Sequence, residues 1–195
     1  MGDRIYLAPT SEFLPPTFLI YMDRPSLYSP RLCLRVMSHE DLPALIKYAN
    51  NPAVAERIIN IPYPFREPDA AMRLSRNLQG FNRKTHYTFA IILRETDELI
   101  GEVGLHPLPN RTQGQLAYWI GQPYWGQGLA TEAVKTVLSF GFNDLALQLI
   151  FAECKVDNIG SIRVLEKNGM TAVGRGQAVE QYYLKAESWG TSDAY

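Results

Sequence analysis

The sequence predicts one mixed α/β domain, with a mostly antiparallel sheet of about seven strands and about four flanking helices. Three β-like segments follow one another between residues 87 and 120 with short connections, which favours an antiparallel meander. Apolar residues then recur at helical spacing in two later segments, and each of these precedes a further strand. A chain of 195 residues with 46% hydrophobic residues can bury one sizeable core and is too short for two comfortable domains.

The predicted elements follow the order β, α, α, β, β, β, α, β, α, β, β without an internal repeat. Strands are indicated where apolar and polar residues alternate, and helices where apolar residues recur every three or four positions. Gly169 suits the left-handed cap that ends the last helix. The predicted strands cover residues 32–36, 87–93, 99–105, 115–120, 149–156, 170–173 and 179–184, and the predicted helices cover 38–50, 69–78, 129–143 and 159–168.

The first thirty residues differ from the rest because they contain five prolines. Such a density of proline excludes a long helix and favours an extended arm or a single added strand. The apolar run Thr17–Tyr21 within this segment should cover an edge of its own sheet or of another subunit. We therefore expect an arm at residues 1–30, a domain at 31–190 and a tail at 191–195.

The charge is almost balanced, with 19 Lys and Arg against 20 Asp and Glu, so the composition favours neither a nucleic acid nor an anionic membrane as partner. No apolar stretch reaches membrane-spanning length. Cys33 and Cys154 are far apart, and the three histidines are scattered without metal-ligand spacing. These features predict a reduced, cytoplasmic protein without a metal site.

The most informative segment is a strand that breaks into a glycine turn and restarts as a helix, from Trp119 to Ala133. Gly126 and Gly128 can adopt positive φ and bring bare backbone close to a ligand. The unpaired N–H groups at the start of the following helix suit a pyrophosphate. The turn matches neither a Walker loop nor the dinucleotide GxGxxG pattern. Taken alone, it also fits a tight strand-to-helix corner without a ligand.

Two motifs carry a family resemblance: residues 124–133 read YWGQGLATEA, and residues 158–170 read NIGSIRVLEKNGM. The first resembles the acetyl-CoA pyrophosphate loop of the Rim-like branch of the GNAT acetyltransferases, and the second resembles its second motif. The resemblance spans about residues 32–189. The general GNAT pattern has Gln or Arg three residues before its key glycine, whereas Trp125 stands there in this chain, which is usual for the Rim-like branch.

The resemblance implies a sheet splayed between its two central strands, with acetyl-CoA in the notch and direct attack by a primary amine. It also implies that backbone and side-chain groups near the two motifs hold the cofactor. The implied cofactor-binding residues are Trp119, Ile120, Trp125, Gly126, Gln127, Gly128, Leu129, Ala130, Thr131, Asn158 and Ser161.

The resemblance makes Ser161 the candidate proton donor to the leaving sulfur, with Tyr118 and Tyr124 as alternative acids. Glu102 is the first candidate base, because burial in an apolar strand favours the protonated form of a carboxyl. Glu153, Glu180 and a chain of water molecules are alternatives, and Glu102 and Glu153 fit equally well as paired strand carboxylates. Asn158 is also expected to cap the helix that begins at Ile159, Cys154 is expected to pack rather than react, and His106 is the histidine nearest the expected notch.

The acceptor is expected against the aromatic loop between the first two helices, at Tyr63 and Phe65, and against the last pair of strands. A protein N-terminus and a small-molecule amine both remain open as the acceptor, and so do a monomer and a homodimer. Two rival interpretations are a non-catalytic acyl-CoA-binding module and a structural subunit whose arm exchanges with a neighbour.

Overall fold

The computed structural model describes residues 25–58, 61–176 and 178–190, and its central feature is an eight-stranded sheet. The predictions for the run Thr17–Tyr21 and for the tail at 191–195 lie outside the described residues. The strands are β1 Leu27–Tyr28, β2 Leu32–Arg35, β3 Tyr87–Leu93, β4 Glu98–Pro107, β5 Gln113–Ile120, β6 Leu149–Lys155, β7 Thr171–Arg175 and β8 Val179–Lys185. Their order in the sheet is β1-β2-β3-β4-β5-β6-β8-β7.

Five α-helices lie in the described part of the chain: α1 Leu42–Ala49, α2 Pro52–Ala55, α3 Glu67–Arg83, α4 Leu129–Ser139 and α5 Ile159–Lys167. All strand pairs are antiparallel except β5 and β6. The predicted mixed, mostly antiparallel sheet and its β3-β4-β5 meander are therefore confirmed. None of the described helices is long and apolar enough to cross a membrane.

The structure differs from the predicted elements at four places. The short helix α2 was not predicted, because Asn51 and Pro52 were expected only to end the preceding helix. β1, which the sequence assigned to the arm, adds an eighth strand to the edge of the sheet. α3 is longer than predicted, because Asp69 accepts from the backbone N–H of Arg66 at its start and Lys84 takes a left-handed conformation (φ 54°) at its end. The helix predicted to reach residue 143 changes after Ser139 into a wider π-helical turn.

The core lies on both faces of the sheet because β3 is buried on both sides. Phe89 and Ile91 belong to one buried cluster, which also contains Val134 and Leu138 of α4. Ala90 and Ile92 belong to a second cluster, which contains residues of α1 and α3. Alternate residues of a strand point to opposite faces, so the continuous apolar run of β3 reflects helices on both sides.

β5 and β6 pair along only part of their length. Their register runs from Gln113 opposite Leu149 to Leu116 opposite Ala152 and then stops. Beyond that point, residues 117–120 of β5 pair only with β4, and residues 153–155 of β6 pair only with β8. The two central strands are splayed as predicted, and the resulting notch positions the site.

Gly101 of β4 sets how closely β4 approaches this part of β5. A Cβ atom at Gly101 would lie 2.2 Å from the backbone oxygen of Trp119, which cannot rotate away. We expect Gly101→Ala to lower the free energy of unfolding by about 1–3 kcal/mol, as overpacking does in other well-packed proteins. Urea unfolding checks this. The matched control is Gly174→Ala in β7, where nothing lies within 4 Å of the added atom, and equal losses for both variants would contradict the expectation.

Candidate active site

The glycine turn between β5 and α4 has the backbone that the sequence predicts. Gly126 and Gly128 have φ values of 76° and 77°, a region that side chains with Cβ rarely adopt. Among the described residues, no backbone carbonyl accepts from the N–H groups of residues 126–131. The next amide along the chain, that of Glu132, donates to the carbonyl oxygen of Gly128. The turn therefore presents a row of amide donors at the N-terminus of a helix, which is a favourable arrangement for phosphate oxygens.

Contacts from the beginning of the described chain hold the end of this turn where it enters α4. Arg31 forms a salt bridge of 2.7 Å with Glu132 and donates to the carbonyl oxygen of Gln127 at 2.9 Å. Ser29 donates a hydrogen bond of 2.7 Å to the same carboxylate. The β1-β2 connection thus helps to fix the N-terminus of α4, although the sequence assigned part of it to an arm outside the domain.

A second set of contacts holds the beginning of the turn where it leaves β5. The hydroxyl groups of Tyr48 and Tyr124 donate to the two oxygens of Glu98, at 2.8 and 3.1 Å. The indole N–H of Trp125 donates to the carbonyl oxygen of Ile120 at 2.6 Å. Tyr124, a candidate acid from the sequence, is thereby engaged in positioning the turn.

A cleft of about 570 Å³ follows the turn and the notch, and we call it the donor cleft. All the cofactor-binding residues implied by the resemblance line it except Gln127, whose side chain donates to the carbonyl of Pro123 at 2.9 Å. Three cationic residues also line it: Arg57, Arg163 and Lys167. Arg163 and Lys167 both lie on α5, one face of which forms a wall of the cleft.

A second cavity of about 460 Å³ lies on the other side of the notch, and we call it the acceptor cavity. Residues of α3, β4, β5 and β6 line it. The two spaces meet, because both are lined by Arg57, Ile58, Tyr118, Trp119, Asn158 and Ser161.

Two predicted catalytic residues contact each other where the cavities meet. The hydroxyl oxygens of Tyr118 and Ser161 are 2.7 Å apart, and the Tyr118 hydroxyl also lies 3.2 Å from the carbonyl oxygen of Ser161. Asn158 caps α5 as predicted, because its side-chain oxygen accepts from the Ser161 N–H at 3.2 Å. Burial raises the pKa of Tyr118 well above its ordinary value, so the phenol stays protonated at neutral pH.

The structure gives Glu102 three partners that the sequence could not show. The residue is 1% exposed, and its carboxylate forms a salt bridge with Arg73. It also accepts hydrogen bonds from the Asn77 amide at 3.0 Å and from the Trp119 indole at 2.7 Å. Both carboxylate oxygens are occupied, which favours the paired strand carboxylate over the free base that the sequence analysis ranked first.

The other candidate bases, Glu153 and Glu180, and the candidate nucleophile Cys154 each have partners or surroundings of their own. Glu153 lines the acceptor cavity and accepts from the Gln181 side chain at 3.3 Å. Glu180 accepts from the Tyr182 hydroxyl at 3.1 Å. Cys154 also lines the acceptor cavity, and burial raises the pKa of its thiol, which reduces its reactivity as a nucleophile.

The predicted aromatic wall for the acceptor has to be corrected. Phe65 is only 2% exposed and packs in the core cluster that α1 and α3 share. Tyr63 is 57% exposed and lines neither cavity. The loop places the Phe65 ring in the core, and neither residue lines the donor cleft or the acceptor cavity. Val179 of β8 does line the acceptor cavity, which agrees with the expected contribution of the last strands.

A stacked histidine pair forms a wall of the acceptor cavity, although only His106 was expected near the notch. The rings of His86 and His106 have centroids 5.4 Å apart and an angle of 7° between their planes. His86 fits against α3 because residue 80 is glycine, where a Cβ atom would lie 2.2 Å from the ring. Burial lowers the pKa of His106 to about 4, and the nearby charges of His86, Arg76 and Arg73 act in the same direction.

The polar face of α3 is the part of the site that sequence analysis missed entirely. Arg73, Arg76 and Asn77 line the acceptor cavity from this helix. Their spacing of three and four residues puts them on one face, and that spacing was a signal available in the sequence. It could not be interpreted without knowing that this face lies over β4.

The depressed pKa of His106 predicts a loss of stability in acid. An unfolded histidine has a pKa of about 6.5, so below that pH the unfolded chain binds a proton that the folded chain excludes until about pH 4. The contribution of neutral His106 to the free energy of unfolding is therefore complete above pH 6.5, and it declines as the pH falls. Between about pH 7 and pH 4.5, the free energy of unfolding of the wild type should fall by about 2 kcal/mol more than that of His106→Gln. Urea unfolding at both pH values tests this, and parallel declines would contradict it.

Comparisons with known proteins show which family the chain resembles. The family model described as an acetyltransferase (GNAT) domain matches residues 31–171. An uncharacterized N-acetyltransferase, p20 from Bacillus licheniformis, is 33% identical over 142 residues, which cover 72% of this chain and 79% of p20.

Two solved structures show the same fold. A GNAT-family acetyltransferase from Bacillus anthracis superposes with a TM-score of 0.75 at 24% identity, over 84% of this chain and 99% of that one. RimL, a ribosomal L7/L12 alpha-N-protein acetyltransferase in complex with coenzyme A, superposes with a TM-score of 0.74 at 18% identity, over 83% of this chain and 98% of RimL. The predicted resemblance to Rim-like acetyltransferases is confirmed, and the chain belongs to the GNAT family of N-acetyltransferases.

Proposed function

We propose that this protein transfers the acetyl group of acetyl-CoA to a primary amine by direct attack in a ternary complex. The observation that carries this proposal is the meeting of two cavities at the Tyr118–Ser161 pair. One cavity is bounded by an anion-binding turn and the other by polar side chains. Two substrates that enter from opposite sides would therefore have their reacting atoms side by side, which supplies the proximity that a bimolecular transfer needs.

The donor cleft fits acetyl-CoA, whose thioester supplies the activated acyl group. Amide groups of residues 126–131 would hold the pyrophosphate, and the cations Arg57, Arg163 and Lys167 lie where they can contact phosphates. Within the described chain, no strand pairs with residues 117–120 of β5 on the β6 side, and only the Ile120 carbonyl is engaged there, by the Trp125 indole. The other backbone groups on that side can hydrogen-bond to an extended pantetheine arm as a neighbouring strand would.

The Tyr118–Ser161 pair is suited to stabilise the leaving sulfur. Each hydroxyl can donate only one proton, so when Tyr118 donates to Ser161, the Ser161 hydroxyl is free to donate towards the notch. The Asn158 cap fixes the backbone of Ser161 in the first turn of α5. We therefore assign proton donation to Ser161, and we assign to Tyr118 the positioning and polarisation of that hydroxyl.

The amine has to lose a proton before or during the attack, and Glu102 is engaged with Arg73, Asn77 and Trp119. We propose that water in the acceptor cavity removes the proton, with the polar walls at Glu153 and the histidine pair ordering that water. This step needs no covalent acyl-enzyme and no metal ligand.

Cofactor binding tests the placement of the donor site. Gly128→Val adds a branched side chain at a positive φ where the turn approaches the phosphates, so it should lower acetyl-CoA affinity at least about tenfold. Isothermal titration with acetyl-CoA measures this, with ATP and NAD as ligand controls. Gly190→Val is the matched control, because Gly190 also has a positive φ (86°) but lines neither cavity. Normal affinity in folded Gly128→Val would contradict the proposed phosphate site.

Turnover tests the catalytic pair. Ser161→Ala should lower kcat by about tenfold to a hundredfold while acetyl-CoA affinity changes little, and Tyr118→Phe should lower kcat by a similar factor. The double variant should lose less than the product of the two single losses, because the residues act as one unit. Release of free thiol measures the rate, with Tyr183→Phe on β8 as the control tyrosine. If both single variants retain the wild-type kcat, the pair has no part in the chemistry.

A further inference from the structure

The acceptor cavity carries more positive than negative side chains. Two carboxylates line it, Glu102 and Glu153, against four cationic residues: Arg57, Arg73, Arg76 and Lys155. The whole chain is close to neutral, with 19 basic and 20 acidic residues, so this excess is local. The histidine pair adds no charge at neutral pH, because burial lowers the pKa of both His86 and His106.

Only part of the positive charge is neutralised within the protein. The buried salt bridge between Arg73 and Glu102 neutralises both of these residues. Arg57 borders the donor cleft as well, stacks over the Trp125 ring at 4.9 Å and is available to the phosphates of acetyl-CoA. Arg76 and Lys155 then remain against Glu153 alone, so the cavity stays net positive even with the donor bound.

Arg76 is the cation best placed to bind an anion. It lies three residues after Arg73 on the face of α3 that borders the cavity. Among the described residues, no acceptor forms a hydrogen bond or salt bridge with its guanidinium, although His86 contacts its backbone oxygen at 3.1 Å. A guanidinium without a partner can bind a carboxylate or a phosphate through two parallel hydrogen bonds.

Lys155 lies on β6, on the other side of the notch from α3. Its ammonium group donates to the carbonyl oxygen of Glu56, which leaves further protons available. Arg76 and Lys155 therefore belong to two different walls of the cavity, while Tyr118 and Ser161 mark the end where the acetyl group is transferred.

From this arrangement we propose that the acceptor is a small primary amine that also carries a carboxylate or phosphate group. Arg76 binds the anionic group, Lys155 contributes to the same positive field, and the amine is directed towards the Tyr118–Ser161 pair. The inference rests on the proposed N-acetyltransferase function and names the substrate class of that site. A polyamine is disfavoured because its additional ammonium groups would meet like charges. The volume of about 460 Å³ is within the range of small-molecule sites.

A panel of amines tests the substrate class. The panel pairs glycine with glycinamide, β-alanine with its amide, and O-phosphoethanolamine with ethanolamine. It adds spermidine and a short peptide that has an amidated C-terminus and no acidic side chain. We expect kcat/KM to be at least about tenfold higher for the anionic member of each matched pair, because one hydrogen bond to a charged group strengthens binding by about that factor. The carboxylate and phosphate pairs tell which anion is preferred. Equal or better rates with the neutral amines, with spermidine or with the peptide would overturn the inference.

Arg76→Gln links this preference to one residue. The variant should raise KM for anionic amines about tenfold or more, and it should change the KM for their neutral partners much less, so that the ratio of kcat/KM within each pair falls. Arg83→Gln is the matched control, because it makes the same change on α3 outside both cavities. Equal effects of Arg76→Gln on both members of a pair would exclude Arg76 as the anion-binding residue and overturn its assignment.

Binding measurements separate a failure of this inference from a failure of the proposed function. The same amines are titrated into protein saturated with coenzyme A, so the result does not depend on turnover. Tighter binding of the anionic members supports the inference even where acetylation is slow, and equal binding or no binding by any amine overturns it. Absence of acetyl-CoA binding, by contrast, would remove the proposed function itself.

Discussion

The early end of the β5–β6 ladder is the constraint on which the rest of this molecule depends. Each of the two strands keeps a complete antiparallel partner on its outer edge, β4 for β5 and β8 for β6. The sheet therefore stays intact while its centre opens after Leu116 and Ala152. The opening leaves backbone polar groups of residues 117–120 without a strand partner. The Trp125 indole satisfies the carbonyl of Ile120, and a ligand or water has to satisfy the others. Both cavities and their point of contact follow from this geometry.

The two sides of the notch use different physical means of recognition. On the donor side, backbone amides at a helix N-terminus present a general site for phosphate, which depends on chain conformation more than on side-chain identity. On the acceptor side, side chains from α3, β4 and β6 set charge and shape. Under the proposed function, such a division would keep one donor substrate while the side chains of the other wall would determine the acceptor.

Contacts between distant parts of the chain keep the site rigid. Arg31 and Ser29 hold the beginning of α4 through Glu132, and Glu98 holds the turn through Tyr48 and Tyr124. The buried Glu102–Arg73 pair joins β4 to α3, and its removal on one side would leave an uncompensated charge in the core. These contacts hold the glycine turn and the cavity walls in place.

The sequence by itself determined the features that depend on local patterns. The meander, the glycine turn, the Asn158 cap and the Gly169 terminator were predicted correctly, because each depends on neighbouring residues or on periodicity along the chain. The tertiary structure decided the rest. Phe65 entered the core, Glu102 acquired Arg73 as a partner 29 residues away, and the polar face of α3 became a wall of the acceptor cavity. Burial, pairing and local charge depend on which elements the fold brings together, and no local pattern encodes that.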